Sequence, residues 1–186
     1  MITLRGRTVA FLTAPAGVEQ VELTASWQAV LEAGGTPRLL STRPGRVQAF
    51  RGLDRADTFA VDTVVAEAEP AGYDGLVLPG GVANPDRLRT APEAVDFVRE
   101  FVGLGRPVAV ICHGGWTLVE AGAVRGRTMT SWPSIRTDLE NAGATWVDEP
   151  VHVCTDGPNT LVSSRKPADL PQFCDTFVSR FARAGA

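Results

Sequence analysis

A chain of 186 residues is the length of one domain, since domains most often run about 100–150 residues and seldom split below about 250. A hydrophobic share of 44% against 21% charged residues excludes disorder, collagen-like repeats and coiled coil as the dominant state. Eighteen basic against 21 acidic residues leave a formal charge of -3, so the broad positive field that draws nucleic acid or an anionic membrane is missing and a small molecule or a protein is the expected partner.

Short apolar β-type runs alternate with segments of helical period from the start of the chain. Residues 8–12 predict a strand, 18–33 a helix and 38–41 a second strand. Between 44 and 69 the pattern loosens into short β-like pieces with scattered Asp, Arg and Gly, the signature of an edge hairpin or excursion. The βα alternation then resumes, with a strand at 73–78, a helix at 91–104, a strand at 107–111 and a helix from about 114 to 121. The last third predicts a short strand at 127–130, a helix at 133–142, strands near Val151 and Leu161, and a closing helix at 167–184. Strands this uniformly apolar are buried on both faces, which in a βα chain means a parallel sheet between helix layers. The expected fold is a single doubly wound α/β domain over residues 1–186, with Gly34-Gly35, Gly105, Gly122 and Gly143 as helix-end caps.

Three cysteines, Cys112, Cys154 and Cys174, have no regular spacing, so neither a disulfide framework nor a Cys-x-x-Cys zinc site is written and no metal is expected. The charged start of the chain precedes an apolar run of only residues 9–12, too short for a signal-peptide core, and no stretch approaches the roughly 18–20 apolar residues of a membrane span. A reducing, cytoplasmic setting follows as the expectation.

In an open parallel sheet, ligands bind beyond the carboxyl ends of the strands. Three junctions of that kind carry candidate chemistry. In Cys112-His113-Gly114-Gly115, an apolar strand ends in a cysteine, a histidine follows, and two glycines lead into a helix. Such a nucleophile elbow projects the side chain from the sheet and leaves amides free for an oxyanion, and a helix N-terminus beneath it is expected to lower the thiol pKa from the ordinary value near 8.5. Glu19 and Glu22, three residues apart at the start of the first helix, are placed on one face, where a buried carboxyl can hydrogen-bond sulfur and handle substrate protons. Pro79-Gly80-Gly81 offers further amides. His152, in a strand and followed by Val153 and Cys154, is expected at the surface, and Cys154 and Cys174, without His or Gly companions, are expected to be structural.

The runs Val110-Ile111-Cys112-His113-Gly114, Arg125-Gly126-Arg127, Asn141-Ala142-Gly143 and Ser164-Arg165-Lys166-Pro167-Ala168-Asp169-Leu170, with Leu78-Pro79-Gly80-Gly81-Val82-Ala83-Asn84-Pro85-Asp86, closely resemble the PfpI-type intracellular protease family. That family belongs to the superfamily of the parkinsonism-associated deglycase and has the flavodoxin-like, class I glutamine amidotransferase-like fold. The resemblance implies Cys112 as nucleophile, His113 as its partner, Glu19 and Glu22 as the acidic pair, and Gly80, Gly81 and Gly114 on the oxyanion and substrate side. It also implies a homodimer or higher homo-oligomer, with Asp86 entering a neighbouring subunit's site. Two departures from the family pattern bear on substrate choice: Gly115 stands where proline is common, and Trp132 where relatives carry Tyr or His.

Three functions use these same residues. The first is a cofactor-independent enzyme acting on small reactive carbonyls or glycated proteins, as a glyoxalase or deglycase does. The second is the peptidase of the family name, and the third a redox-sensing or chaperone-like stress protein in which Cys112 is oxidised.

Overall fold

The computed structural model describes residues 3–184. Its centre is a seven-stranded sheet in the order β11-β12-β8-β7-β1-β3-β6. These strands are β1 (Thr8–Thr13), β3 (Thr36–Ser41), β6 (Thr63–Val64), β7 (Gly75–Leu78), β8 (Val108–Ile111), β11 (Val151–Cys154) and β12 (Leu161–Ser164). Every neighbouring pair is parallel except β11 with β12, which is antiparallel and closes one edge.

The central strands β1, β7 and β8 are almost wholly apolar because both faces are covered, and their two-residue alternation divides the core. Val9, Phe11, Val77, Ala109 and Ile111 pack with α1 (Gln20–Glu32) and α6 (Leu170–Arg183), whose Phe173, Phe177 and Phe181 are all buried. Ala10, Leu12, Leu76, Leu78, Val108 and Val110 face the other way, onto α3 (Pro92–Gly103), α4 (Gly115–Glu120) and α5 (Arg136–Asn141). This is the doubly wound arrangement expected from the sequence. The four junction glycines Gly34, Gly105, Gly122 and Gly143 have φ of 81°, 75°, 71° and 97°, as left-handed helix ends require.

The loosened stretch after residue 44 is a hairpin of β4 (Arg46–Arg51) and β5 (Asp54–Ala60), which forms its own three-stranded sheet with β2 (Ala16–Glu19). Here the sequence reading is corrected. The first helix begins at Gln20 and not at Val18, because Ala16, Val18 and Glu19 are drawn into a parallel pairing with β4, with an irregularity at Gly17. Three smaller revisions follow. The strand expected at 127–130 contracts to β9 (Thr128–Met129), which pairs with β10 (Thr145–Trp146) outside the main sheet. The helix expected at 133–142 divides into a 3₁₀ turn, Pro133–Ile135, and α5. A short helix, α2 (Ala83–Leu88), follows β7 where no helix was expected; its Pro85 lies in the first turn, the one place in a helix where proline removes no needed donor.

The chain places β3 on one side of β1 and later returns to place β7 on the other, so the winding direction reverses between β1 and β7. The carboxyl ends of β1, β7 and β8 therefore border a switch-point crevice, the favoured ligand position in such sheets.

Candidate active site

Cys112 follows β8 at that crevice, with φ of 62°, the only non-glycine residue with positive φ among the described residues. A side-chain-bearing residue in the left-handed region is strained, at roughly 1–3 kcal/mol, and persists where surrounding contacts over-determine it. Those contacts are visible at the neighbouring glycines. A Cβ on Gly114 would lie 2.6 Å from the Leu78 carbonyl, and one on Gly80 would lie 2.6 Å from the Cys112 Cβ. The turn runs as a 3₁₀ segment, Cys112–Gly114, straight into α4. Gly114 thus lets the elbow backbone pass β7.

The thiol is ringed by three kinds of group. His113 Nδ1 is 3.2 Å from Sγ, and the Nε2 of the same ring is 3.2 Å from Ser134 Oγ. Burial lowers the pKa of His113, which keeps the ring neutral near pH 7. The imidazole is held between two indoles, stacked on Trp132 at 5.8 Å and 25° and edge-on to Trp116 at 5.3 Å. The backbone amides of His113 and Gly81 also engage the sulfur.

Glu22 supplies the carboxyl. It is fully buried, it interacts with the Cys112 side chain, and its Oε2 accepts a 2.7 Å hydrogen bond from the Gly80 amide. Oε1 is buried and has no hydrogen-bond partner among the described residues. Desolvation pushes the pKa of Glu22 up to about 8, so the carboxyl is protonated at neutral pH. Glu19 behaves differently. It ends β2 with extended backbone, and its Oε2 accepts from the Gly52 amide at 3.0 Å, tying the β4–β5 turn to the crevice.

Several expectations are revised by this geometry. The Cys112 thiol is not lowered: burial, and after it the charge of Glu22, push it up, while the His113 and Gly81 amides pull it only part of the way back. The expected helix-terminus effect is outweighed because α4 has six residues and the sulfur is desolvated. The Gly80 amide is committed to Glu22, which leaves Gly81 and His113 as the amides that face the sulfur. Glu19 and Glu22 border one cavity but do not act as equivalents, since one carboxylate anchors a turn and the other sits against the thiol. Asp86, whose expected place is a neighbouring subunit's site and not this one, is exposed on α2 outside this cavity and is not among the revisions.

The crevice opens as a cavity of about 340 Å³ whose lining includes Cys112, His113, Glu22 and Trp132. Two residues that support it were assigned no role by the sequence reading, although Asn84 lies within the run of residues 78–86 that carries the family resemblance. Asn84 is fully buried, accepts from the Ala14 amide at 2.7 Å, and donates to the carbonyls of Pro79 and Gly80 at 3.0 and 3.1 Å, joining the loops that follow β1 and β7. Ser134 is the second, as the outer partner of His113. His152 pairs at the surface with Glu149 at 2.8 Å, away from the crevice as expected.

Residues 7–180 match the model of the DJ-1/PfpI family. The chain belongs to that family. It is 41% identical over 170 residues to a deglycase of Pyrococcus horikoshii, covering 91% of this chain and 96% of the relative. It is 37% identical over 155 residues to general stress protein 18 of Bacillus subtilis, covering 83% and 87%. Among solved structures, it superposes on the DJ-1/ThiJ/PfpI-like part of a two-domain protein from Anabaena variabilis with a TM-score of 0.86 and 33% identity. That match covers 96% of this chain and 49% of the Anabaena protein, whose remaining part is ferritin-like. Schizosaccharomyces pombe DJ-1 shares the fold, with a TM-score of 0.76, 23% identity and coverage of 90% and 87%. Among the described residues no helix is long and apolar enough to cross a membrane.

Proposed function

We propose that this protein is a cysteine-dependent, deglycase-like enzyme acting on reactive 2-oxoaldehydes and their amine adducts. The observation that carries the reading is the strained Cys112 elbow, φ 62°, with a neutral imidazole 3.2 Å from the sulfur and a protonated, fully buried carboxyl beside it. The relatives named deglycase and general stress protein support the same class.

The raised thiol pKa makes attack dependent on a base within the site. With Nε2–H donating to Ser134 Oγ, Nδ1 is free to accept the thiol proton as Sγ adds to the aldehyde carbon. The new alkoxide takes a proton from Glu22; the Glu22 carboxylate then removes the hydrogen of the former aldehyde carbon and returns it to the adjacent ketone carbon, while the hydroxyl proton on the first carbon passes to the former ketone oxygen and leaves a thioester carbonyl behind. One carbon is oxidised and its neighbour reduced, so no external oxidant enters. Water cleaves the resulting thioester to a hydroxy acid and restores the thiol. With an amine adduct, the protonated His113 supplies the proton that the departing amine needs.

The test is turnover of methylglyoxal and of a methylglyoxal-treated amino acid, with hydroxy acid as the measured product. Wild type should form it and Cys112→Ala should not. Hydroxy acid formation that survives Cys112→Ala would refute the reading. Cleavage of unfolded casein in place of aldehyde turnover would favour the peptidase.

A further inference from the structure

Six large hydrophobic side chains stand exposed among the described residues, and three of them, Leu53, Val82 and Trp132, line the one cavity above Cys112. Leu53 is 96% exposed, Val82 57% and Trp132 37%. Large apolar groups left in water and gathered at one place mark a recognition surface, whereas apolar residues scattered singly carry no such meaning. They come from three separate connections: the turn between β4 and β5, the loop after β7, and the loop after β9.

Each connection is tied down next to the elbow. The Gly52 amide, one residue before Leu53, donates to Glu19; the Glu19 amide donates to the Gly80 carbonyl at 3.4 Å; and the Trp132 amide donates to the Cys112 carbonyl at 3.2 Å. Gly81, next to Val82, has φ of 80° and packs so closely on the Gly17 carbonyl that no side chain fits there. The apolar rim is therefore built onto the site. Charge narrows the ligand further: the Glu19 carboxylate lies in the cavity wall beside the protonated Glu22, and no Lys or Arg lines it. Size narrows it again, because at about 30 Å³ per water a 340 Å³ cavity takes roughly ten water-sized groups. That is about twice what a three-carbon dicarbonyl fills and close to an aryl 2-oxoaldehyde.

We infer that Leu53, Val82 and Trp132 form an apolar collar that selects substrates whose non-reacting end is aromatic or branched aliphatic and carries no negative charge. The substrate class rests on the proposed function; the collar itself is a property of the route to Cys112. Aryl 2-oxoaldehydes and their amine adducts should be preferred over methylglyoxal, and an anionic aryl 2-oxoaldehyde such as 4-carboxyphenylglyoxal should be poorer than phenylglyoxal.

Two measurements separate the collar from the chemistry. The first is alkylation of Cys112 by N-phenylmaleimide and by N-methylmaleimide, mapped by mass spectrometry and expressed as a rate ratio relative to N-acetylcysteine. Wild type should favour the phenyl reagent by about 10-fold, and Leu53→Asn and Val82→Asn should each lower that ratio by about 3-fold or more, in line with what one apolar contact contributes to discrimination. The second is kcat/KM for phenylglyoxal, methylglyoxal and 4-carboxyphenylglyoxal. A wild-type maleimide ratio equal to that of the free thiol, or one unchanged in both variants, overturns the collar whether or not aldehydes are turned over. A raised ratio that falls in the variants, in a protein that turns over no aldehyde, keeps the collar and sinks the proposed function. Turnover that favours methylglyoxal over phenylglyoxal overturns the collar as the basis of substrate choice. Unfolding midpoints of both variants, expected to match wild type because the side chains are exposed, exclude misfolding as the source of any change.

Discussion

Two cysteines of this chain are buried thiols with a side-chain nitrogen at nearly the same distance: Cys112, 3.2 Å from His113 Nδ1, and Cys154, 3.3 Å from Arg127 Nε. They differ in where the sheet puts them. Cys112 lies beyond the carboxyl end of parallel β8, beside the switch point. Cys154 ends β11, the single antiparallel strand, and so lies at the opposite end of the sheet, level with Val108 where β8 begins. The surroundings differ accordingly. Cys112 has strained backbone, a ring that exchanges protons and a cavity above it. Cys154 has a guanidinium that cannot give up its proton, fixed by Asn159 through Nη1 to Oδ1 at 2.9 Å and Nη2 to the carbonyl at 2.8 Å. Burial and a nearby nitrogen do not by themselves suit a thiol to the proposed attack; an exchangeable proton and an opening do.

The largest effect that breaks the comparison is removal of each sulfur in turn. Cys112→Ala should reduce aldehyde turnover by at least about 10³-fold, since no other group in the crevice forms the covalent adduct. Cys154→Ala should leave turnover within about 2-fold. Hydroxy acid formation followed by chromatography decides it, and comparable losses in both variants would return Cys112 to the same structural class as Cys154.

Glu22 is what Cys154 lacks. Glu22→Gln keeps an acceptor for the Gly80 amide and loses the proton, so turnover should fall on the order of 10²–10⁴-fold. The thiol should respond in the opposite sense. With the Glu22 charge gone, one of the causes that push Cys112 up is removed, and alkylation at pH 9 should be faster than in wild type. Stability offers a separate reading of the same carboxyl. Because folding raises the pKa of Glu22 from 4.5 to about 8, the folded state holds a proton that the unfolded state has released between those values. Stability therefore falls as pH rises from about 4.5 to about 8, by on the order of 3–5 kcal/mol, and levels off above. Urea unfolding of wild type and Glu22→Gln across that range should show the decline in wild type and a flatter curve in the variant.

The Cys154 end should answer in stability alone. Arg127 is almost fully buried, and its four hydrogen bonds, all to Cys154 and Asn159, join β9 to the segment between β11 and β12. Arg127→Leu leaves those acceptors unpaired at about 1–3 kcal/mol for each one stranded, offset by relaxation and water entry. A lowering of the unfolding midpoint by about 5–15 °C is expected. The alkylation rate of Cys112 should be unchanged, and a large change there would mean that the two ends of the sheet are coupled.

The contrast between these cysteines was readable in the chain as far as local sequence determines it. Cys112 is followed by His113 and two glycines after an apolar run, and that combination is what a strained elbow requires. Cys154 has no such company. The strand order and the helix layers followed from apolar runs because a doubly wound sheet buries both faces. What sequence could not reveal depends on distant partners. Glu19 and Glu22 have the same spacing on paper, yet β4 pairing pulls the first out of the helix and Gly80 fixes the second against sulfur. The direction of the Cys112 pKa was misread for the same reason, since desolvation is a property of the folded crevice and no local pattern records it. Asn84 and Ser134 act through contacts 70 and 21 residues away, and the run of residues 78–86 that contains Asn84 does not say what its side chain holds.

The smallest effect sharpens the distinction between the two carboxylates of the crevice. Glu19 accepts one hydrogen bond, from Gly52 at 3.0 Å, in a partly solvated position, and such a bond contributes about 0.5–1.5 kcal/mol net. Glu19→Gln preserves an acceptor of the same reach, so turnover of methylglyoxal should stay within about 2-fold of wild type. Glu19→Ala releases the β4–β5 turn and should raise KM by a few-fold, with kcat nearly unchanged, because the turn carries Leu53 over the cavity and touches none of the reacting atoms. A KM change without a kcat change is what a positioning role produces. If Glu19→Gln instead lowers kcat by 10²-fold or more, Glu19 is the proton carrier, and the buried pair at Cys112 serves only to shape the crevice.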